Sequence, residues 1–384
     1  MIETKVAGFR PFALERYFAQ HEFSVTYNLA ASDCETITMQ ALLELASPQA
    51  RSLWDNLSLG YTRAEGLTEL REVIAGDYAN GHPDDVLTVV PVEGIYLCMR
   101  ALVEAGDEVI VPWPAYQSLH EVAEASGASI KAWRPDLSLP VTSADFFSLE
   151  TLRSLVSDKT RVIVVNFPHN PTGATISHAR WTEILQIAAE VGAYVLSDEM
   201  YRGLEHAGVA DRLRAAYDSD YDRAISLCGL SKRHGLPGLR TGWVATRHKA
   251  LMSQLKTLKD YTTICAPGPA EVLALIGMEA QDALTERSLQ TILRGFERWD
   301  AMVEAYPGLL CSTRPKAGPI AFPKFTHTSM TVDTFAAELI EELGILVLPG
   351  SVYDVGCGEH FRVGLGRTNA IEAISSLETF LAEH

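Results

Sequence analysis

The chain has 384 residues, 47% apolar and 21% charged, the composition of a soluble globular protein long enough for a large core and two domains. Its formal net charge of −17 argues against nucleic acid or an anionic membrane surface as a partner. No stretch approaches the ~20 apolar residues of a membrane span, and residues 1–5 lack the basic-then-apolar order of a signal peptide. Six scattered cysteines without C-x-x-C spacing read as reduced core thiols of a cytoplasmic protein, and no cysteine/histidine cluster suggests a metal.

In chain order, the run D-E-V-I-V-P predicts a strand over 107–112, followed by a helix over 116–126 and a strand over 129–133. R-V-I-V-V-N predicts a buried strand over 161–166, followed by a helix over 177–191. Further strands are predicted over 194–197 and 224–227, with an edge strand over 242–245. Continuous apolar strands separated by helices indicate an α/β three-layer domain around a mostly parallel sheet. After about residue 280 the pattern changes. A helix over 284–306 precedes short strands over 309–311 and 320–322. A helix over 332–343, strands over 345–347 and 361–365, and a closing helix from Ile371 complete a smaller α+β domain. The segment 12–44 is expected to pack with that domain, giving a large domain over 45–280 and a small one from 1–44 and 281–384.

Several predicted strand ends and turns carry reactive or polar side chains, and ligands of open α/β sheets gather at strand C-termini. The segment Val90-Pro91-Val92-Glu93-Gly94 opens a helix, whose free N–H groups suit a phosphate, although Pro91 supplies none. Tyr116 follows the strand over 107–112 and could stack on a flat ring or simply fill the core. Asn170, in Asn166-Phe167-Pro168-His169-Asn170-Pro171-Thr172-Gly173, can donate its amide to a phenolic oxygen, and the same residues also suit a plain turn. Asp198 ends the strand over 194–197. A buried carboxylate there needs a partner such as a protonated pyridine nitrogen, unless it caps a helix. Tyr201, three residues on, could hydrogen-bond a ring oxygen or sit in the core.

Lys232 follows the strand over 224–227 and leads into the turn Gly235-Leu236-Pro237-Gly238-Leu239-Arg240. A desolvated lysine has a depressed pKa, and its neutral amine can form a Schiff base. Arg240 can clamp a phosphate with its planar fork. Amine and phosphate clamp together describe a site for pyridoxal 5′-phosphate (PLP). Arg362, among apolar neighbours in the strand over 361–365, needs an anion, either a substrate carboxylate or a structural salt-bridge partner. Arg367, at that strand's exit, is expected at the surface.

The joint order N-P-T-G, D-x-x-Y, S-K-x-x-x-x-x-G-x-R and a late R-V-G resembles the class I/II PLP-dependent aminotransferases of fold type I, over the chain from Asn28 onward. The resemblance implies that Lys232 binds the cofactor aldehyde, Asp198 pairs with its ring nitrogen, and Asn170 and Tyr201 hold its phenolic oxygen, with Tyr116 stacked on the ring. It assigns the phosphate to Arg240 and Ser231, with the backbone at Val92 and Glu93, and the substrate α-carboxylate to Arg362. Leu59-Gly60-Tyr61-Thr62 resembles the segment that reaches the neighbouring subunit's phosphate, so Tyr61 implies a homodimer with shared sites. The implied activity is aminotransfer from an L-amino acid.

Two departures from the family pattern stand out. Its phosphate loop usually has a small or hydroxyl residue where this chain reads Val90-Pro91-Val92-Glu93, and its N-terminal segment usually has glycine where Ser32 faces the substrate. Motifs such as Leu14-Glu15-Arg16-Tyr17-Phe18 and Lys259-Asp260-Tyr261-Thr262 resemble the capreomycidine-synthase-like subgroup, which acts on arginine derivatives. This adds an elimination, cyclisation or oxidation enzyme as the alternative, with Asp33, Glu35, Glu93 and Asp260 as acidic candidates for gripping a guanidinium. A non-catalytic PLP-binding regulator fused to a DNA-binding domain is disfavoured, because the N-terminal segment is short and not basic.

Overall fold

The computed structural model describes residues 5–207, 212–326 and 329–383. Residues 1–4 and 384, where the expected small domain begins and ends, lie outside them, as does most of the stretch read for a signal peptide.

Near the N-terminus, helix α1 (Ala13–His21) precedes a two-residue strand, β1 (Tyr27–Asn28). The central sheet has seven strands: β2 (Val86–Val89), β3 (Glu108–Pro112), β4 (Ser129–Trp133), β5 (Thr160–Val165), β6 (Tyr194–Asp198), β7 (Ala224–Gly229) and β8 (Gly242–Ala245). Their spatial order is β2-β8-β7-β6-β5-β3-β4. All run in one direction except β8, which pairs antiparallel with both β2 and β7.

The apolar runs explain the layers. Along β5, Val162 and Val164 pack into a cluster with the helices Pro91–Leu102, Ser118–Ala125 and Lys249–Lys259, while Ile163 and Val165 pack into one with the helix His178–Val191. A strand with apolar residues on both faces is stable only when both faces are covered, which is the arrangement of a parallel sheet between helical layers. Local signals set the helix ends. Ser177 accepts from the Arg180 N–H at the start of His178–Val191, and Gly192 adopts a left-handed φ of 69° at its end.

Two expectations are corrected. Gly242–Ala245 is not an edge strand: it lies between β2 and β7, and the edges are β2 and β4. The strand β2 had not been anticipated at all. Its register, Val86 opposite Ala245 through Val89 opposite Gly242, covers the flank of β8 that the sequence left open. Four residues, all buried, show no alternation from which a strand could be read. The expected helix over 116–126 spans Ser118–Ala125, which leaves Tyr116 in the turn ahead of it.

A separate apolar cluster gathers the C-terminal elements. Phe296 and Trp299 from the helix Gln281–Ala305, Phe335 from Val332–Leu343, and Phe361 pack with Leu29 and Cys34 from the N-terminal segment. Strand β1 runs parallel to Ile345–Leu346, and Phe361–Gly364 pairs antiparallel with both Ile320–Ala321 and Leu348–Pro349. All six cysteines are free. Among the described residues no helix is long and apolar enough to cross a membrane.

Candidate active site

The C-terminal ends of β2, β3, β5, β6 and β7 open into one cavity of about 480 Å³. Each end delivers a lining residue: Pro91 and Val92 after β2, Tyr116 after β3, Asn166 and Asn170 after β5, Asp198 and Tyr201 from β6, Ser231, Lys232 and Arg240 after β7. Arg362 enters from its own strand, and Ser32, Asp33 and α1 close the remaining side.

Lys232 is partly buried, and its Nζ donates to Ser32 Oγ at 3.0 Å. Burial lowers its pKa, Asp33 opposes that shift and Arg362 adds to it. Asp198 is 7% exposed, and burial pushes its carboxyl up to about 7. Its Oδ1 accepts from the Met200 N–H at 3.2 Å. Asn166 ties two strand ends together, donating from Nδ2 to the Asp198 carbonyl at 3.1 Å and accepting the Asn170 N–H on Oδ1 at 3.0 Å. The Tyr201 hydroxyl is buried, which raises its pKa, and Ser32 lies within its hydrogen-bonding reach.

Arg362 is 2% exposed and has no carboxylate partner among the described residues. Nε and Nη2 donate to the Ala30 carbonyl at 3.1 and 2.6 Å. Nη1 donates to Asn170 Oδ1 at 3.0 Å and to the Tyr353 hydroxyl at 2.6 Å. These contacts leave one Nη2 N–H uncommitted, so a two-point grip on a carboxylate requires one of the present acceptors to be released. Tyr353 in turn donates to Asn170 Oδ1 at 3.0 Å, so this oxygen faces two donors and the Asn170 amide NH₂ is free to donate elsewhere.

Not every expected residue reaches the cavity. The Glu93 carboxylate accepts from the Val90 N–H at 3.2 Å and from the Thr263 hydroxyl at 2.8 Å, and it does not line the cavity. Tyr61 is 95% exposed and lies outside it. Arg240 lines the rim with an exposed side chain, in a left-handed backbone conformation of φ 53°. The acidic candidates are also corrected. Glu35 accepts from Thr368, and Asp260 is exposed; with Glu93, neither lines the cavity. Asp33 does, but Arg367 already pairs with it through contacts of 3.0 and 3.1 Å. Arg367 is therefore a half-buried wall residue rather than the expected surface one, because Asp33 draws it inward.

Sequence reasoning missed Tyr353, the α1 residues Glu15 and Phe18, and Glu22 at the C-cap of α1, all now at or beside the cavity. Glu15 accepts from the Tyr116 hydroxyl at 3.2 Å, a contact between residues about a hundred positions apart that no local pattern announces. Helical spacing of 15, 18 and 22 on one face was the available signal for α1. Elsewhere, His120, Glu121 and Glu124 come within 4.8 Å of one another, but Arg10 already bridges both carboxylates.

Fold and cavity together define a class: a three-layer α/β enzyme with a depressed lysine, a buried carboxylate and an unpaired arginine at the strand ends. The model for aminotransferase class I and II matches residues 25–374, and the chain belongs to that family. It is 34% identical to the capreomycidine synthase of Streptomyces vinaceus over 91% of this chain and 88% of that one. It is 29% identical to the arginine–pyruvate transaminase AruH of Pseudomonas aeruginosa, over 83% and 82%. Among solved structures, a PLP-dependent aminotransferase from Streptococcus suis superposes with a TM-score of 0.89 at 28% identity, over 98% of each chain. The PLP-dependent cyclase OrfR does so with a TM-score of 0.88 at 25% identity, over 100% of this chain and 99% of that one. The chain is a PLP-dependent enzyme of this family.

The cavity's own chemistry fits the cofactor. Ser231 Oγ is buried and without a hydrogen-bond partner, as a phosphate-binding hydroxyl would be. Among the described residues Asp198 forms no ion pair, and Lys232, whose amine burial depresses, lies in the same cavity.

Proposed function

We propose that the protein transfers the amino group of an L-amino acid, with Lys232 as the residue that binds PLP and carries the proton. The observation that carries this reading is the convergence of Lys232, Asp198 and the unpaired Arg362 on one cavity. Ser231, Arg240 and the backbone at Val92 would hold the cofactor phosphate, Asp198 its ring nitrogen, Asn170 and Tyr201 its phenolic oxygen, and Tyr116 its ring face. Bound PLP supplies an electron sink for charge developing at the substrate's α-carbon.

The chain's residues do the rest. Arg362 fixes the substrate carboxylate and thereby the orientation of the α-carbon. The Lys232 amine, whose proton affinity burial lowers, would accept the α-proton on Nζ in its neutral form and can return it. Ser32 Oγ, 3.0 Å from Nζ, steers the amine and can hold it between transfers. Asp198, ionised beside a cation, keeps its negative charge at the base of the cavity.

An arginine-type substrate is supported by the name of the Pseudomonas relative. A second reading, elimination or cyclisation on the same scaffold, is favoured by the similarity to capreomycidine synthase and to a PLP-dependent cyclase, and by Ser32 where the family usually has glycine. Incubation with pyruvate and either arginine or a hydroxyarginine, whose hydroxyl can leave as water, separates the two: alanine appears with amino transfer, whereas dehydration of the hydroxyarginine to a cyclised product without alanine refutes it.

The protein is further proposed to be a homodimer in the cytoplasm. Leu59, Tyr61 and Tyr261 are 87%, 95% and 87% exposed, a surface suited to a second copy whose site Tyr61 would complete. Free cysteines throughout suit a reducing compartment. Division into a large unit over 45–280 and a small unit from 1–44 and 281–384 is supported by the cluster that unites Leu29 and Cys34 with the C-terminal elements.

A further inference from the structure

We propose that α1 builds the subsite for the substrate's side chain, with Glu15 and Glu22 as the groups that select a cationic end. This rests on the reading of the cavity as an amino-acid site. Residues 15, 18 and 22 lie on one helical face, and all three line the cavity. The seven-residue spacing carries that face ~10 Å along the helix axis, comparable to an extended arginine. Phe18 sits between the two carboxylates and offers the apolar surface that the methylene stem of such a side chain requires.

The charges of the cavity decide between carboxylates. Asp33 is matched by Arg367, and Asp198 lies at the base where the ring nitrogen is assigned. Among the described residues neither Glu15 nor Glu22 forms an ion pair with a basic side chain: Glu15 accepts from Tyr116 at 3.2 Å, and Glu22 from Asn28 Nδ2 at a long 3.4 Å. Glu22 is also placed against the stability of α1. It caps the helix C-terminus, where the macrodipole disfavours a carboxylate, and burial raises its pKa. Arg367 and Lys232 offset part of that cost from across the cavity, but neither forms an ion pair with Glu22, so a cation arriving there would be its first direct partner.

Arg362 supplies the independent anchor. Its guanidinium lies 5.9 Å from the centre of the Phe18 ring, buried and without a carboxylate partner. A ligand whose carboxylate meets Arg362 therefore starts beside the α1 wall. A guanidinium or ammonium at the far end of a three- or four-carbon chain finds Glu15 and Glu22 there, whereas a neutral or acidic side chain leaves both carboxylates desolvated and unpaired.

The test uses holoenzyme of the wild type, Glu15→Gln, Glu22→Gln and the double variant. Arginine and methionine are titrated in while the cofactor's visible absorbance is followed, with cofactor content and melting temperature as checks on folding. The expected result is a fall in preference for arginine over methionine of about tenfold in at least one single variant, and more in the double. A preference within twofold of wild type in all three overturns the proposal. So does a wild type that responds to methionine and not to arginine, which leaves the amino-acid reading standing. A wild type that responds to no amino acid overturns the amino-acid reading itself, and this subsite with it.

Discussion

Burial of Asp198 makes the cofactor-free protein sensitive to pH in a calculable way. Its carboxyl is pushed from 3.8 up to about 7, chiefly by desolvation, with the Met200 N–H opposing and Glu199 reinforcing. Between pH 4 and 7 the native state therefore keeps a proton that the unfolded chain has released. The native state binds more protons in that window, so stability falls as pH rises through it. Three pKa units amount to on the order of 4 kcal/mol, a large part of the stability of a typical domain. Asp198→Asn is neutral in both states and removes this contribution. Denaturant unfolding of the cofactor-free wild type and variant across pH 4 to 8 should show the variant gaining ~4 kcal/mol on the wild type. Taking the difference cancels groups not coupled to Asp198, such as Glu271, which burial also raises. In holoenzyme a cation beside Asp198 returns it to the ordinary carboxylate range, and the pH-dependent gain should disappear. Parallel curves for the two cofactor-free proteins would refute the claim that Asp198 is desolvated and unpaired.

Arg362→Lys keeps the charge but loses the planar fork that contacts Ala30, Asn170 and Tyr353; arginine should bind the holoenzyme ~10- to 100-fold more weakly. Agmatine, which lacks the carboxylate, should lose far less, and equal losses would contradict the assignment. Tyr61→Ala should raise the dissociation constant for PLP several-fold while sedimentation still reports a dimer; unchanged PLP affinity would exclude a shared phosphate site.

How far the sequence speaks varies with the range of the interaction. Lys232, Asp198, Tyr201, Asn170 and Tyr116 follow strands that their apolar runs reveal, and the structure brings all five to one cavity. Arg362 was legible because a cation in an apolar strand demands a partner. Tyr353 was not, since its role exists only through Arg362 and Asn170, nine and 183 positions away. Arg367 looked like a strand-exit surface residue because Asp33, its partner, is 334 positions distant. Strand β2 escaped for a different reason: four buried residues carry no periodicity, and without β2 its neighbour β8 looked like an edge. Glu93 was drawn toward the phosphate by its place at a helix start, where its side chain instead satisfies the Val90 N–H and Thr263.

The covalent link at Lys232 is the point on which the account turns, and chemical trapping examines it directly. Holoenzyme is reduced with borohydride, digested, and its peptides are weighed by mass spectrometry. A pyridoxyl phosphate adduct on Lys232 is the predicted result, absent from Lys232→Ala. An adduct on any other lysine, or none from protein that retains its cofactor, would contradict it.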